Sequence, residues 1–234
     1  MIADVNGDQL PDLYDVNYLA GDDVFTRICQ QQDGQSIMCG PEAFAGASDR
    51  IQLNDGQGRF VDATQQFLQP AADGKGLGIV AFSDATGRMN LFVANDTVPN
   101  HLFVPQNTPA PETTVGQKTT AHDLAIIASM MDEALVRGVA VNADGKSEAC
   151  MGIAVSDFDD DQRMDIVVTN FLHETNTLYH SITDELLQDQ TRSLGLREGT
   201  LPILSFGTQF LDANNDGLQE LFFDNGYTQD LPCR

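Results

Sequence analysis

The chain has 234 residues, 41% of them hydrophobic, enough for one sizeable core or a run of stacked repeats. Its 35 acidic residues against 12 Lys and Arg give a net charge of -23, which argues against a nucleic-acid partner and against docking on anionic membranes, since both require clustered Lys and Arg. No run of 18 apolar residues encodes a membrane-spanning helix, so the acidity reads either as a solvated surface or as carboxylates grouped around a hard cation such as calcium.

In chain order, Met1 leads straight into Ile2, Ala3 and Asp4, with no signal-peptide pattern. An acidic loop, DVNGDQLPD at 4–12, follows at once and runs into LYDVN at 13–17. Cys29 and Cys39 lie in a Gln- and Gly-rich stretch whose spacing suits either a local disulfide or two free thiols; no CxxC pair suggests zinc. RIQL at 50–53, a turn NDGQG at 54–58 and Phe60-Val61 read as a hairpin. GIVAF at 78–82, a weaker loop DATGRMN at 84–90, LFVAN at 91–95 and HLFV at 101–104 repeat the grammar. Residues 104–120 are Pro-, Thr- and Gln-rich and read as a surface loop. Residues 123–136 space Leu124, Ile127, Ala128, Met131 and Leu135 as a short helix would, with a strand as the alternative, and Met130-Met131 reads as packing. The pattern returns as GIAV at 152–155, DFDDDQRMD at 157–165, IVVTN at 166–170 and TLYH at 177–180, and again as GTQFL at 207–211, DANNDGLQE at 212–220 and LFFDN at 221–225.

The last loop positions, 12, 90, 165 and 220, are 78, 75 and 55 residues apart, and an Asn follows each by five residues. Such spacing is too long for a solenoid and close to one propeller blade with insertions, each blade being strand, acidic loop, strand, strand, turn, strand. The expected architecture is therefore an all-β propeller with approximate blades 1–70, 71–136, 137–200 and 201–234. It is expected to be partial, because strands are lacking in the first and last blades, and so to oligomerise or to continue in a longer parent chain.

In the loops, oxygen-bearing side chains stand at positions 1, 3, 5 and 9, with a main-chain carbonyl available at 7. Calcium accepts many oxygens in loose geometry, and without His or Cys in the set zinc and copper are disfavoured. Good turns alone would also use Asp, Asn and Gly, but three copies in one register favour a cation. Position 6 calls for a positive φ, which Gly217 meets freely and Gln9 and Gln162 meet with strain. Loop 157–165 has the most carboxylates. The weak loop, aligned with Phe82, Asp84 and Thr86 at positions 1, 3 and 5, is degenerate. His173-Glu174 with His180 is not HExxH, and neither a GxSxG elbow nor a phosphate loop is present. Of His101, His122, His173 and His180, the first and last fall on third strands and read as structural. Asn95-Asp96-Thr97 is a formal glycosylation sequon at the repeated Asn, where a turn role is expected.

The loops between strands resemble FG-GAP or VCBS repeats of integrin-like propellers. Cys39-Gly40-Pro41, Ser48-Asp49-Arg50, VANDT at 93–97 with Asn100 and HLF at 101–103, MGI at 151–153, TNF at 169–171 and ETNTLY at 174–179 are similar to the ASPIC/UnbV family, which includes cartilage acidic protein. The resemblance implies an extracellular or periplasmic propeller of about seven blades with structural calcium, and a compartment where a Cys29–Cys39 disulfide persists. By position it implies as ligands Asp4, Asn6, Asp8, the Leu10 carbonyl and Asp12; Asp157, Asp159, Asp161, the Arg163 carbonyl and Asp165; and Asp212, Asn214, Asp216, the Leu218 carbonyl and Glu220. The chain departs from the family in the weak loop, in its two Gln at position 6 and in lacking the ASPIC/UnbV segment after the propeller. The functional expectation is a non-catalytic binding or adhesion module for a protein or glycan partner, with a lectin as the alternative and a propeller lyase or hydrolase behind it. A pocket holding both an acid and a His would favour the enzyme.

Overall fold

A computed structural model describes residues 1–31, 33–70, 73–85, 87–106 and 129–226. Among the described residues the architecture is all-β, 42% strand and 6% helix, in several sheets with no closed barrel. Short strands β1 (Ile2–Ala3) and β2 (Asp12–Asp15) flank the first acidic loop. An excursion follows, built of β3 (Leu19–Ala20), β4 (Ile28–Gln30), β5 (Ser36–Met38) and β6 (Ala45–Gly46), in which β3 pairs with β6 and β4 with β5. The Cys29–Cys39 disulfide closes its tip. The chain then returns as β7 (Arg50–Asn54) and β8 (Phe60–Asp62), completing an antiparallel sheet in the order β1-β2-β7-β8.

After a one-turn helix α1 (Thr64–Phe67) and β9 (Leu68–Gln69), a second sheet forms from β10 (Gly76–Ser83), β11 (Met89–Asn95), β12 (His101–Pro105) and β13 (Met130–Asp132), with β9 pairing parallel to β13 at its edge. The third sheet is the meander β14 (Ile153–Ser156), β15 (Asp165–Val168), β16 (Thr177–Thr183) and β17 (Leu186–Asp189). A second short helix α2 (Leu196–Thr200) leads to the hairpin β18 (Leu204–Leu211) and β19 (Glu220–Gly226).

The period-2 alternation of strand side chains decides how the sheets stack. Leu91, Val93 and Phe103 point to one side of the second sheet and pack with Tyr14 and Ile51 of the first and with Phe67 of α1. Their neighbours Phe92, Ala94, Leu102 and Val104 point the other way and pack with Ile166, Val168 and Tyr179 of the third. On the far side of that sheet, Val167 and Leu178 meet Phe210 of the last hairpin. Each sheet buried on both faces therefore reads as a continuous apolar run, as LFV and IVV do.

Of the expected helix over 123–136, residues 123–128 lie outside the described residues, and the rest is not helical. Met130–Asp132 is a strand closing the second sheet, and 134–138 form a turn in which Gly138 takes a φ of 80°. Met130 is buried against Leu68 and Phe103, while Leu135 and Val136 are exposed, so sheet pairing on two sides overrides the helical spacing. The expected surface loop over 104–120 begins later than the composition suggested, since Val104 and Pro105 belong to β12; 107–120 lie outside the described residues.

Candidate metal loops

Loops 4–12, 157–165 and 212–220 each join a first strand to a second, and they share one hydrogen-bond scaffold. The carboxylate at position 1 caps the loop main chain: Asp4 accepts from the N–H groups of Gly7, Asp8 and Gln9; Asp157 from Asp161 and Gln162; Asp212 from Asp216 and Gly217. Position 5 accepts from the N–H of position 7, at 2.8–2.9 Å, in Asp8–Leu10, Asp161–Arg163 and Asp216–Leu218. Position 9 accepts from the N–H of position 2, in Asp12–Val5, Asp165–Phe158 and Glu220–Ala213. This last bond ties the start of each loop to the start of its following strand.

Position 6 has a positive φ in all three loops: 69° at Gln9, 70° at Gln162 and 88° at Gly217. Position 4 does too, at Gly7, Asp160 and Asn215. The signal for it was residue type, because Gly, Asp and Asn are the residues that reach the left-handed region most readily.

The three position-9 groups differ in setting. Asp12 and Asp165 are fully buried, and each also accepts a main-chain N–H from its third strand, Asn54 at 2.8 Å and Ser181 at 2.8 Å. His180 Nδ1 lies 2.9 Å from Asp165 Oδ1. Burial pushes both carboxyls above their ordinary range, against the pull of these hydrogen bonds. Glu220 is exposed and accepts a second bond from the Asn214 amide.

The donor set fits a hard cation. In loop 157–165, Asp157, Asp159 and Asp161 each offer an oxygen within 4.8 Å of the others, close enough for one ion to reach all three. That loop also has basic partners, which the count of carboxylates did not reveal. The Arg163 guanidinium pairs with Asp161, and His180 Nε2 lies 3.7 Å from Asp159. In loops 4–12 and 212–220, Asn6 and Asn214 instead donate amide hydrogens to Asp8 and Asp216 at 3.1 Å. In the weak loop, Arg88 at position 7 pairs with Asp84 at 2.9 Å, while Phe82 lies within β10 and packs on the core; Thr86 lies outside the described residues.

The repeated Asn has a bracket role. Asn17, Asn95 and Asn170 each donate a main-chain N–H to the residue that opens the third strand, Asp49, Asn100 and Asn176, at 2.7–3.0 Å. Their side-chain amides donate to the carbonyls of Ser48, Pro99 and Thr175. Asn95 is wholly buried in this bracket, which leaves no room for a glycan on it. Asp49 also accepts from the Tyr14 hydroxyl at 3.0 Å, and burial pushes its carboxyl up to about 6.

His101 sits 2.7 Å from Asp132, and Cys150 is buried, its thiol pushed up to about 12 by burial. His122 and Cys233 lie outside the described residues. His173 is exposed and lines a cavity together with Glu174, the acid-and-His pairing that would favour the enzyme alternative, but Glu174 spends one oxygen on the N–H groups of Ala149 and Phe171 and no hydrogen bond joins the two side chains. No family model and no curated protein matches the chain.

Proposed function

We propose that the chain is a calcium-braced β-propeller module of the FG-GAP/VCBS kind, similar to the ASPIC/UnbV branch, and that it serves outside the reducing cytoplasm as a non-catalytic binding surface for a protein or glycan. The observation that carries this reading is the common scaffold of the three acidic loops. Separate sequences hold oxygens at positions 1, 5 and 9 through the same main-chain bonds at the same strand junction. The stacking of consecutive, mainly antiparallel sheets supports a bladed architecture, and the Cys29–Cys39 bond supports an oxidising compartment.

The protein residues do the positioning. Position-1 and position-9 carboxylates spend part of their capacity on main-chain N–H groups, which fixes their orientation, and the positive φ at positions 4 and 6 turns the intervening side chains toward one point. A bound calcium ion would offset the mutual repulsion of these carboxylates and tie the first two strands of each sheet. The test is thermal unfolding with calcium and with excess chelator. Calcium is expected to raise the melting temperature by several degrees through preferential binding to the folded state. Coincident curves, with no heat of calcium binding in calorimetry, would overturn the proposal.

A further inference from the structure

The third sheet has two ends. Its acidic loop joins β14 to β15 at one of them. At the other, the connection from β15 to β16, the segment after β17 and the loop before β14 converge on a cavity of about 210 Å³. In a chain with only 12 Lys and Arg, three of them, Lys146, Arg192 and Arg197, line this one cavity.

Which groups are free for a ligand follows from the hydrogen bonds. Glu148 is buried, and its Oε2 accepts from Thr177 at 2.7 Å and Asn170 at 3.0 Å. Asp189 accepts from the Thr191 and Ala143 N–H groups at 2.9 and 2.8 Å. Arg192 pairs with Asp144 at 3.0 Å. These acids and this arginine are engaged by the fold. The side chains of Lys146, His173 and half-buried Arg197 make no hydrogen bond or ion pair among the described residues. Glu174 spends Oε2 on the N–H groups of Ala149 and Phe171 at 3.0 and 3.1 Å and keeps Oε1 uncommitted. His173 is held at a left-handed φ of 73°, with its N–H donated to the Leu201 carbonyl at 3.1 Å.

The uncommitted set is thus two permanent cations, an imidazole and one carboxylate oxygen. That combination suits an anion bearing neighbouring hydroxyls. The cavity is smaller than the ~300 Å³ at which pockets for drug-sized ligands begin, so it takes a single ring. Among the described residues no Phe, Tyr or Trp lines it, so a neutral sugar has no face to stack on and charge must supply the recognition. We propose that this cavity binds one carboxylate-bearing sugar unit, its carboxylate on Arg197 and Lys146 and its hydroxyls on Glu174 Oε1 and His173. The proposal rests on the reading of the chain as a binding module and not on the metal loops, which lie at the opposite end of the sheet.

The test is calorimetric titration of the full chain with an oligoglucuronate, a neutral oligoglucose of equal length, and acetate. Saturable binding is expected for the oligoglucuronate alone. Arg197→Gln and Lys146→Gln, each with the parent's melting temperature, should weaken it by about tenfold or more. Repeating the titration in chelator below the unfolding range should leave the affinity unchanged. A chain that answers to calcium but binds no uronate overturns this proposal alone. Parent-like binding by both variants, binding of the neutral sugar as tight as the uronate, or acetate binding as tight as the uronate would overturn it too.

Discussion

Asp165→Asn separates what the acidic loop contributes by hydrogen bonding from what a cation contributes. The native carboxylate is fully buried and accepts from Ser181 and His180 on Oδ1 and from Phe158 on Oδ2. An amide can keep the first oxygen's role, but its NH₂ then faces the Phe158 N–H, donor against donor. A buried donor left unsatisfied costs about 1–3 kcal/mol, and hydrogen bonds to a charged acceptor are worth about 1.5–3 kcal/mol, so a loss of about 2–3 kcal/mol is expected. In a chain of this size, that is a fall in melting temperature of about 4–12 °C. Asp12→Asn should cost a similar amount, because Asp12 is equally buried and holds Val5 and Asn54. Glu220→Gln, at the same loop position but exposed, should cost less than about 0.5 kcal/mol. Urea unfolding of the three variants in excess chelator isolates these losses from any metal effect. If Asp165→Asn lost no more stability than Glu220→Gln, the argument from burial would be refuted.

Two further outcomes are expected. Gly217→Ala should destabilise by about 0.5–1.5 kcal/mol through backbone conformation alone, since φ is 88° and an added Cβ would meet nothing within 4 Å; Gln162→Gly at the matching position should be neutral or stabilising, and equal signs in denaturant unfolding would contradict the strain assignment. Asp49, whose carboxyl is raised to about 6 by burial, binds its proton more tightly folded than unfolded, so its contribution to stability is present below the ordinary value of 3.8 and lost as pH rises through about 6. Asn at 49 would match Asn100 and Asn176 in the other brackets, so the stability of Asp49→Asn relative to the parent should grow by about 2 kcal/mol between pH 4 and 7; a difference independent of pH would show that the bracket does not titrate.

The strand–loop–strand grammar was legible because three things coincide in the sequence: β-branched and aromatic runs, turn residues at fixed offsets, and repetition. Strands such as β11 and β15 were visible as LFV and IVV because burial on both faces removes polar alternation. The positive φ at position 6 was legible from Gly217 and carried over to Gln9 and Gln162 by register. Long-range pairing was not legible. The parallel partnership of β9 with β13 joins residues some sixty positions apart, and nothing local to Met130 announces it. Likewise, carboxylate counting ranked loop 157–165 highest, yet Asp161 is paired with Arg163 and Asp159 lies beside the His180 ring, which arrives from another strand. The cavity beside Glu174 draws on three separate connections, so its cations could not be associated from spacing. The bracket built on Asn17, Asn95 and Asn170 was seen as a repeated letter, but its partner residues became apparent only in three dimensions.

The three core layers share no residue, and each lies between one sheet and the next. Mechanically, the molecule is a short one-dimensional stack in which information about packing passes only between neighbours. β11, like β15, is a link with two allegiances, because alternate residues along it serve different layers. A defect at Leu91 and a defect at Phe92, adjacent in sequence, would therefore loosen opposite ends of the stack, while a defect at Phe210 would release the last hairpin and leave the first two sheets as they were.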